Sequence, residues 1–158
     1  MGISLVVGAL ASGPVGRRLH ASRVLAFALI ASVGLVAAAT LTPSIGGSAP
    51  HPGQCDMSRI GLVPLDELLR VGEATENILL FVPLGICVAL LPASRARTIL
   101  AVAAVAFPFA IEGTQLLLPA LNRSCESADV VDNLSGLVVG GFVAAVGRLA
   151  YERRPARK

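Results

Sequence analysis

The stretch 109–141, FAIEGTQLLLPALNRSCESADVVDNLSGLVVGG, decides how the chain folds. Two apolar runs flank a short polar turn. The first run carries a carboxylate and an amide, Glu112 and Gln115, three residues apart. The turn carries Arg123 and Cys125, and the second run opens with Asp129, Asp132 and Asn133. On a helix, Asp129, Asn133, Gly136 and Gly140 share one stripe, so acid and amide sit above a glycine seam. An acid left in hydrocarbon without a partner costs several kcal/mol, so these groups are expected to face one another inside a helix bundle.

Working outward, composition sets the class. Hydrophobic residues make up 54% of the 158, and charged residues only 15%, bunched between long apolar runs. Mean hydropathy is +0.76. This is the pattern of an integral membrane protein, with room for about four spanning helices of about 20 residues each. The fold expected is an all-α, compact four-helix transmembrane bundle with a long external loop between the first two spans. A net charge of +3 does not read as nucleic-acid binding, because aromatics are only 4% and do not interleave with the basic residues.

Three units divide the chain. Residues 1–22 hold a short apolar patch broken by glycines and Pro14, too short to span, with its positive charges behind it instead of in front. That is the wrong order for a signal peptide, and the segment reads as a mobile or interfacial cytoplasmic tail. Residues 23–151 hold the bundle, with spans expected at 24–41, 73–91, 98–118 and 130–151. Residues 152–158 form a basic cytoplasmic tail. The loop at 42–70 is rich in proline and glycine, with a short amphipathic helix expected over 64–70. Pro83 and Pro108 should kink their spans where neighbours cover the freed carbonyls.

Ten of the thirteen basic residues fall on one side of these spans, and nine of the ten acids on or near the other. The positive-inside rule then puts both termini in the cytoplasm. Cys55 and Cys125 land in the two external loops, on the oxidising side, and Cys87 lies mid-span. A Cys55–Cys125 bridge would tie the proline-rich loop over the polar groups, the alternative being two free thiols. His20 and His51 fall on opposite sides, so no metal site and no cofactor are expected.

The candidate binding residues are Asn77, Glu112, Gln115, Arg123, Asp129 and Asn133, from three helices and one turn. Pro83, Gly85, Gly136 and Gly140 are candidate structural residues. Gly136 to Gly140 reads G-x-x-x-G and lets a neighbouring helix approach closely. Glu73 and Glu76 open the second span, where the helix dipole alone would favour acids. Arg123 is the nearby cation expected to balance the carboxylates, and a salt-bridged, purely architectural cluster is the competing reading.

At these residues the chain resembles the VanZ-like family of small bacterial membrane proteins. The carrying features are Asn77, Phe81, Pro83 and Gly85 in NILLFVPLG, Glu112 and Gln115 in EGTQ, Arg123 in the external turn, and Asp129, Asn133 and Gly136 in DVVDNLSG. The likeness covers about residues 24–150. It implies a membrane domain of four to five helices in the bacterial plasma membrane. It also implies a link to glycopeptide tolerance, since the family is named for a member that raises tolerance to teicoplanin.

Two classes of function fit. In one, an outward-facing pocket binds a lipid head group, a cell-wall precursor or a partner, with Glu112, Arg123 and Asp129 giving charge and Asn77, Gln115 and Asn133 hydrogen bonds. In the other, the chain is a hydrolase or transferase for a lipid-linked substrate, with Glu112 as general acid or base, Asp129 as its ionised partner and Arg123 holding a phosphate. No external histidine is tied to the cluster by spacing, so the binding reading is preferred. A transporter would need a homo-oligomer to line a path, because four spans show no inverted repeat.

Overall fold

The computed structural model describes residues 2–44, 54–70 and 72–153. Six helices run in order: α1 (Gly2–Leu19), α2 (Arg23–Leu41), α3 (Leu65–Leu68), α4 (Glu73–Leu90), α5 (Arg95–Leu117) and α6 (Ser127–Glu152). Two short strands, β1 (Cys55–Asp56) and β2 (Cys125–Glu126), pair in parallel, with Cys55 opposite Cys125 and Asp56 opposite Glu126. Among the described residues, α2, α4, α5 and α6 are long and apolar enough to cross a membrane. The single turn of α3 falls within the amphipathic segment anticipated at 64–70.

The amino-terminal segment, anticipated as mobile or interfacial, takes regular structure. Its described part is the 18-residue helix α1, folded back antiparallel along α2. His20, at φ 51°, makes the reversal, and Ala21 N–H closes onto Gly16 O at 3.0 Å. Gly8 sits against the Phe27 ring, and Arg23 Nε donates to Ser12 Oγ at 3.3 Å. Because α1 runs antiparallel, its Gly2 end points away from the turn that carries Arg17 and Arg18. Most of the tail at 152–158, and His51 in the long loop, lie outside the described residues.

Two of the four spans, α2 and α5, begin at a serine that caps them. Ser22 accepts from Leu25 N–H at 3.2 Å, and Ser94 accepts from Arg97 N–H at 3.2 Å. The Ser94 cap explains why α5 starts at Arg95, ahead of the uncharged run at 98. Arg95 and Arg97 fit its first turn because their long side chains reach the helix end. Both α4 and α5 continue through their prolines, with Pro83 exposed and Pro108 buried.

The core is assembled from Leu29, Val36, Phe81, Leu84, Cys87, Leu91, Ala104 and Ile111. Phe81 and Phe107 stack at a tilt, with ring centroids 6.0 Å apart. Apolar side chains such as Leu79, Val102, Phe109, Val138 and Phe142 point outward, as a lipid-facing surface requires. Charge separates along the bundle axis. At one end the Arg97 and Arg148 guanidiniums reach toward Leu91 O, each at 3.5 Å. At the other end lie the strand pair, the Cys55–Cys125 disulfide and most of the acids.

Candidate functional site

The frame of the site is the α4–α6 crossing, and glycines determine how close it comes. A Cβ on Gly136 would lie 2.2 Å from Ile78 O, one on Gly140 2.2 Å from Val82 O, and one on Gly85 2.4 Å from Leu137 O. Three backbone contacts of this kind in successive turns fix the register of the two helices. Gly85, Gly136 and Gly140 therefore sit at the seam, while Pro83 faces outward from it.

One turn above the seam the helices leave a cavity of about 340 Å³. Asn77, Glu112, Gln115, Arg123, Asp129 and Asn133 all line it, joined by Glu76, Leu80, Ala39 and Thr40. The six side chains singled out in the sequence thus converge from α4, α5, α6 and the turn after α5. Glu112 is 5% exposed, and its Oε2 accepts the Glu126 N–H at 2.7 Å, which ties α5 to the start of α6. Gln115 Nε2 donates to Thr40 O at 3.1 Å. Its Oε1 and Asn133 Oδ1 are buried with no hydrogen-bond partner among the described residues.

A second cavity of about 300 Å³ continues toward the loop end, lined by Ser44, Glu73, Asn122, Ser124 and Glu126. It shares Glu76, Asn77, Gln115, Arg123 and Asp129 with the first, so the two form an inner chamber and its vestibule. Five carboxylates face this space: Glu73, Glu76, Glu112, Glu126 and Asp129. At the mouth, burial pushes the Glu126 carboxyl up from its ordinary range. The charges of Glu73 and Asp56 push the same way, and Arg59 opposes them. Among the described residues, no histidine lines either chamber.

Arg123 is placed in the site but used differently from the expectation. Its Nε donates to Thr42 O at 3.0 Å and its Nη2 to Ala39 O at 2.7 Å. Together with Gln115 it covers carbonyls at the carboxyl end of α2 that the helix cannot satisfy itself. The ion pair found among the described residues is instead Arg59 with Asp132, which is 1% exposed. Arg59 Nη1 reaches Asp132 Oδ1 at 3.1 Å, and Arg59 O accepts from Ser127 Oγ at 2.8 Å. This part of the long loop is therefore fastened twice, to α6 by this pair and to β2 by the disulfide. The sequence held one signal for the pair: Asp132 is an acid within a span, and Arg59 is a cation in an external loop that the disulfide draws near.

The family model for VanZ/LLP1 matches residues 24–148, most of the chain and every residue that lines the two chambers. No curated protein and no solved structure matches.

Proposed function

The chain therefore belongs to the VanZ/LLP1 family, and on that premise we propose that it is a multi-pass protein of the bacterial plasma membrane that binds a small head group in its end chamber. The basic end, with Arg95, Arg97, Arg148 and Arg153, faces the cytoplasm, and the chamber opens outward beneath the bridged loop. The ligand is the head group of a lipid or a cell-wall precursor. The observation that carries this reading is the pair of acceptors without a partner among the described residues, Gln115 Oε1 and Asn133 Oδ1, on two residues that line a cavity large enough for a head group. A buried polar atom without a partner costs about 1–3 kcal/mol, a cost that a bound donor removes.

Catalysis is the second reading, and it is less well supported. Glu112 and Asp129 share the chamber, but one Glu112 oxygen is held by a backbone N–H and both identified arms of Arg123 are held by α2. The test is native mass spectrometry of protein released gently from its own membranes. Wild-type protein retains a small ligand, and Asn133→Leu and Gln115→Leu proteins, correctly bridged and inserted, lose it. A ligand complement unchanged by both substitutions would refute the binding site. Glu112→Gln and Asp129→Asn proteins that keep the ligand but stop its conversion would favour the enzyme. For orientation, Cys125 in reduced protein is labelled by an impermeant maleimide added to intact cells, and full protection there overturns the topology.

A further inference from the structure

Resting on that binding reading, we infer that the chamber takes a primary ammonium group. Three observations converge. The chamber and vestibule present five carboxylates against one guanidinium, Arg123, whose Nε and Nη2 already bond to α2 carbonyls. Arg59, a cation at the same end of the bundle, is committed to Asp132 and lines neither chamber. Among the described residues, the two buried side-chain atoms without a partner are both acceptors, on chamber-lining residues 5% and 1% exposed, so a group that reaches them must donate.

An ammonium with three N–H bonds meets this inventory, because it is all donor and carries the opposite charge. An anion does not meet it: it would face a wall lined with carboxyl groups and leave both acceptors empty. A quaternary ammonium brings charge without donors, and the walls offer no aromatic ring to receive it. A metal ion is a poor match as well, since no group of three or more His, Cys, Asp or Glu among the described residues is arranged to hold one. A sugar hydroxyl would satisfy the acceptors but not the charge. The ammonium is placed between Asn133 and Gln115, with Asp129 and Glu112 beside it, and whatever it is attached to leaves past Arg123 into the vestibule. A trailing phosphodiester would meet that guanidinium at the junction of the two chambers.

The same chemistry has two sources, an ethanolamine phospholipid or a soluble amine. Purified full-length protein in phosphatidylcholine nanodiscs is offered phosphatidylethanolamine, phosphatidylglycerol or free ethanolamine, with occupancy read by native mass spectrometry. Phosphatidylethanolamine should be retained at least about tenfold over phosphatidylglycerol and over the choline host. Asp129→Asn and Asn133→Leu should each lower that retention by about tenfold or more, in protein that inserts and forms its disulfide as wild type does. If free ethanolamine competes as well as the lipid, the amine is soluble and the inference stands. If phosphatidylglycerol is preferred, and lost on Asn133→Leu, the chamber binds but the ammonium assignment is overturned. If no probe depends on Asp129 or Asn133, both the assignment and the binding reading fall. Glu76→Gln gives an independent variant at the chamber wall, removing one charge without touching the buried acceptors. Unaltered preference among the three probes in Glu76→Gln and Asp129→Asn alike would also overturn the assignment.

Discussion

Replacing Gly140 by alanine tests the helix crossing on which the chamber stands. The new methyl would lie 2.2 Å from Val82 O and 2.9 Å from Ile86 N, whereas ordinary contact begins near 3.4 Å. The α4 and α6 backbones must therefore part by about 1.2 Å at that turn. The obstacle is main chain and cannot rotate away, so the cost lies at the upper end for overpacking, about 2–3 kcal/mol. At roughly 3 °C per kcal/mol, a midpoint drop of about 6–9 °C is expected for a chain of this size. Gly141 supplies the control. Nothing lies within 4 Å of a Cβ there, so Gly141→Ala should be neutral or gain up to about 1 kcal/mol from helix propensity. Both proteins are compared with wild type in detergent, by thermal unfolding and by titration with a denaturing detergent. Equal midpoints for Gly140→Ala and Gly141→Ala would refute the close approach.

Three other perturbations probe the loop end. Arg59→Met leaves Asp132 buried without its partner and should cost about 2–3 kcal/mol, less than a fully buried pair because Arg59 is 26% exposed. Arg59→Met with Asp132→Leu should recover part of that loss, and a double variant as unstable as the sum of its parts would contradict the pairing. Reducing the Cys55–Cys125 bridge frees a loop with a sequence separation of 70. Chain entropy puts the loss at about 4 kcal/mol as an upper bound, so midpoints in reducing and non-reducing buffer should differ in wild type and coincide in Cys55→Ser. Glu126 gives a pH test. Its carboxyl is raised in the folded protein, so the folded state holds that proton more tightly than the unfolded state. The stability this contributes is present below the ordinary value near 4.5 and is lost as pH rises through the folded value. Unfolding midpoints between about pH 4 and pH 8 should fall less steeply in Glu126→Gln than in wild type, and parallel curves would refute the assignment.

Much of this arrangement was legible in the sequence because membranes penalise polar groups so heavily. Glu112, Gln115, Asp129 and Asn133 interrupt apolar runs, and the periodicity of α5 and α6 turns them to one face. The glycine seam was legible for the same reason, since Gly136 and Gly140 lie below Asn133 at helical spacing. What could not be read was where the loop side chains reach. Arg123 and Arg59 are both external cations, and spacing along the chain favoured Arg123, the closer of the two to the acids. Their roles divide according to the backbone: α2 ends beside Arg123 with carbonyls to satisfy, whereas β1 pairs with β2 and brings Arg59 over Asp132. The helicity of α1 was hidden for a different reason. Gly8, Gly13, Pro14 and Gly16 carry weak helix propensity, and contact with α2 overrides it.

The site combines two opposed arrangements, and the proposed binding role rests on their juxtaposition. Asp132 is fully matched: it has a bidentate partner, and that partner is tied down again through Ser127. At the next position along α6, Asn133 is as deeply buried, yet its carbonyl oxygen has no partner among the described residues. A cluster serving only to hold helices together would be expected to satisfy both, since the donors are at hand: Arg123 lines the same wall and gives its hydrogen bonds to α2 instead. The fold thus uses its cations on the frame, at α2 and at Asp132, and leaves the chamber with acceptors and negative charge. That division keeps the walls rigid while withholding from the chamber the one type of group, a cationic donor, that a ligand would have to bring.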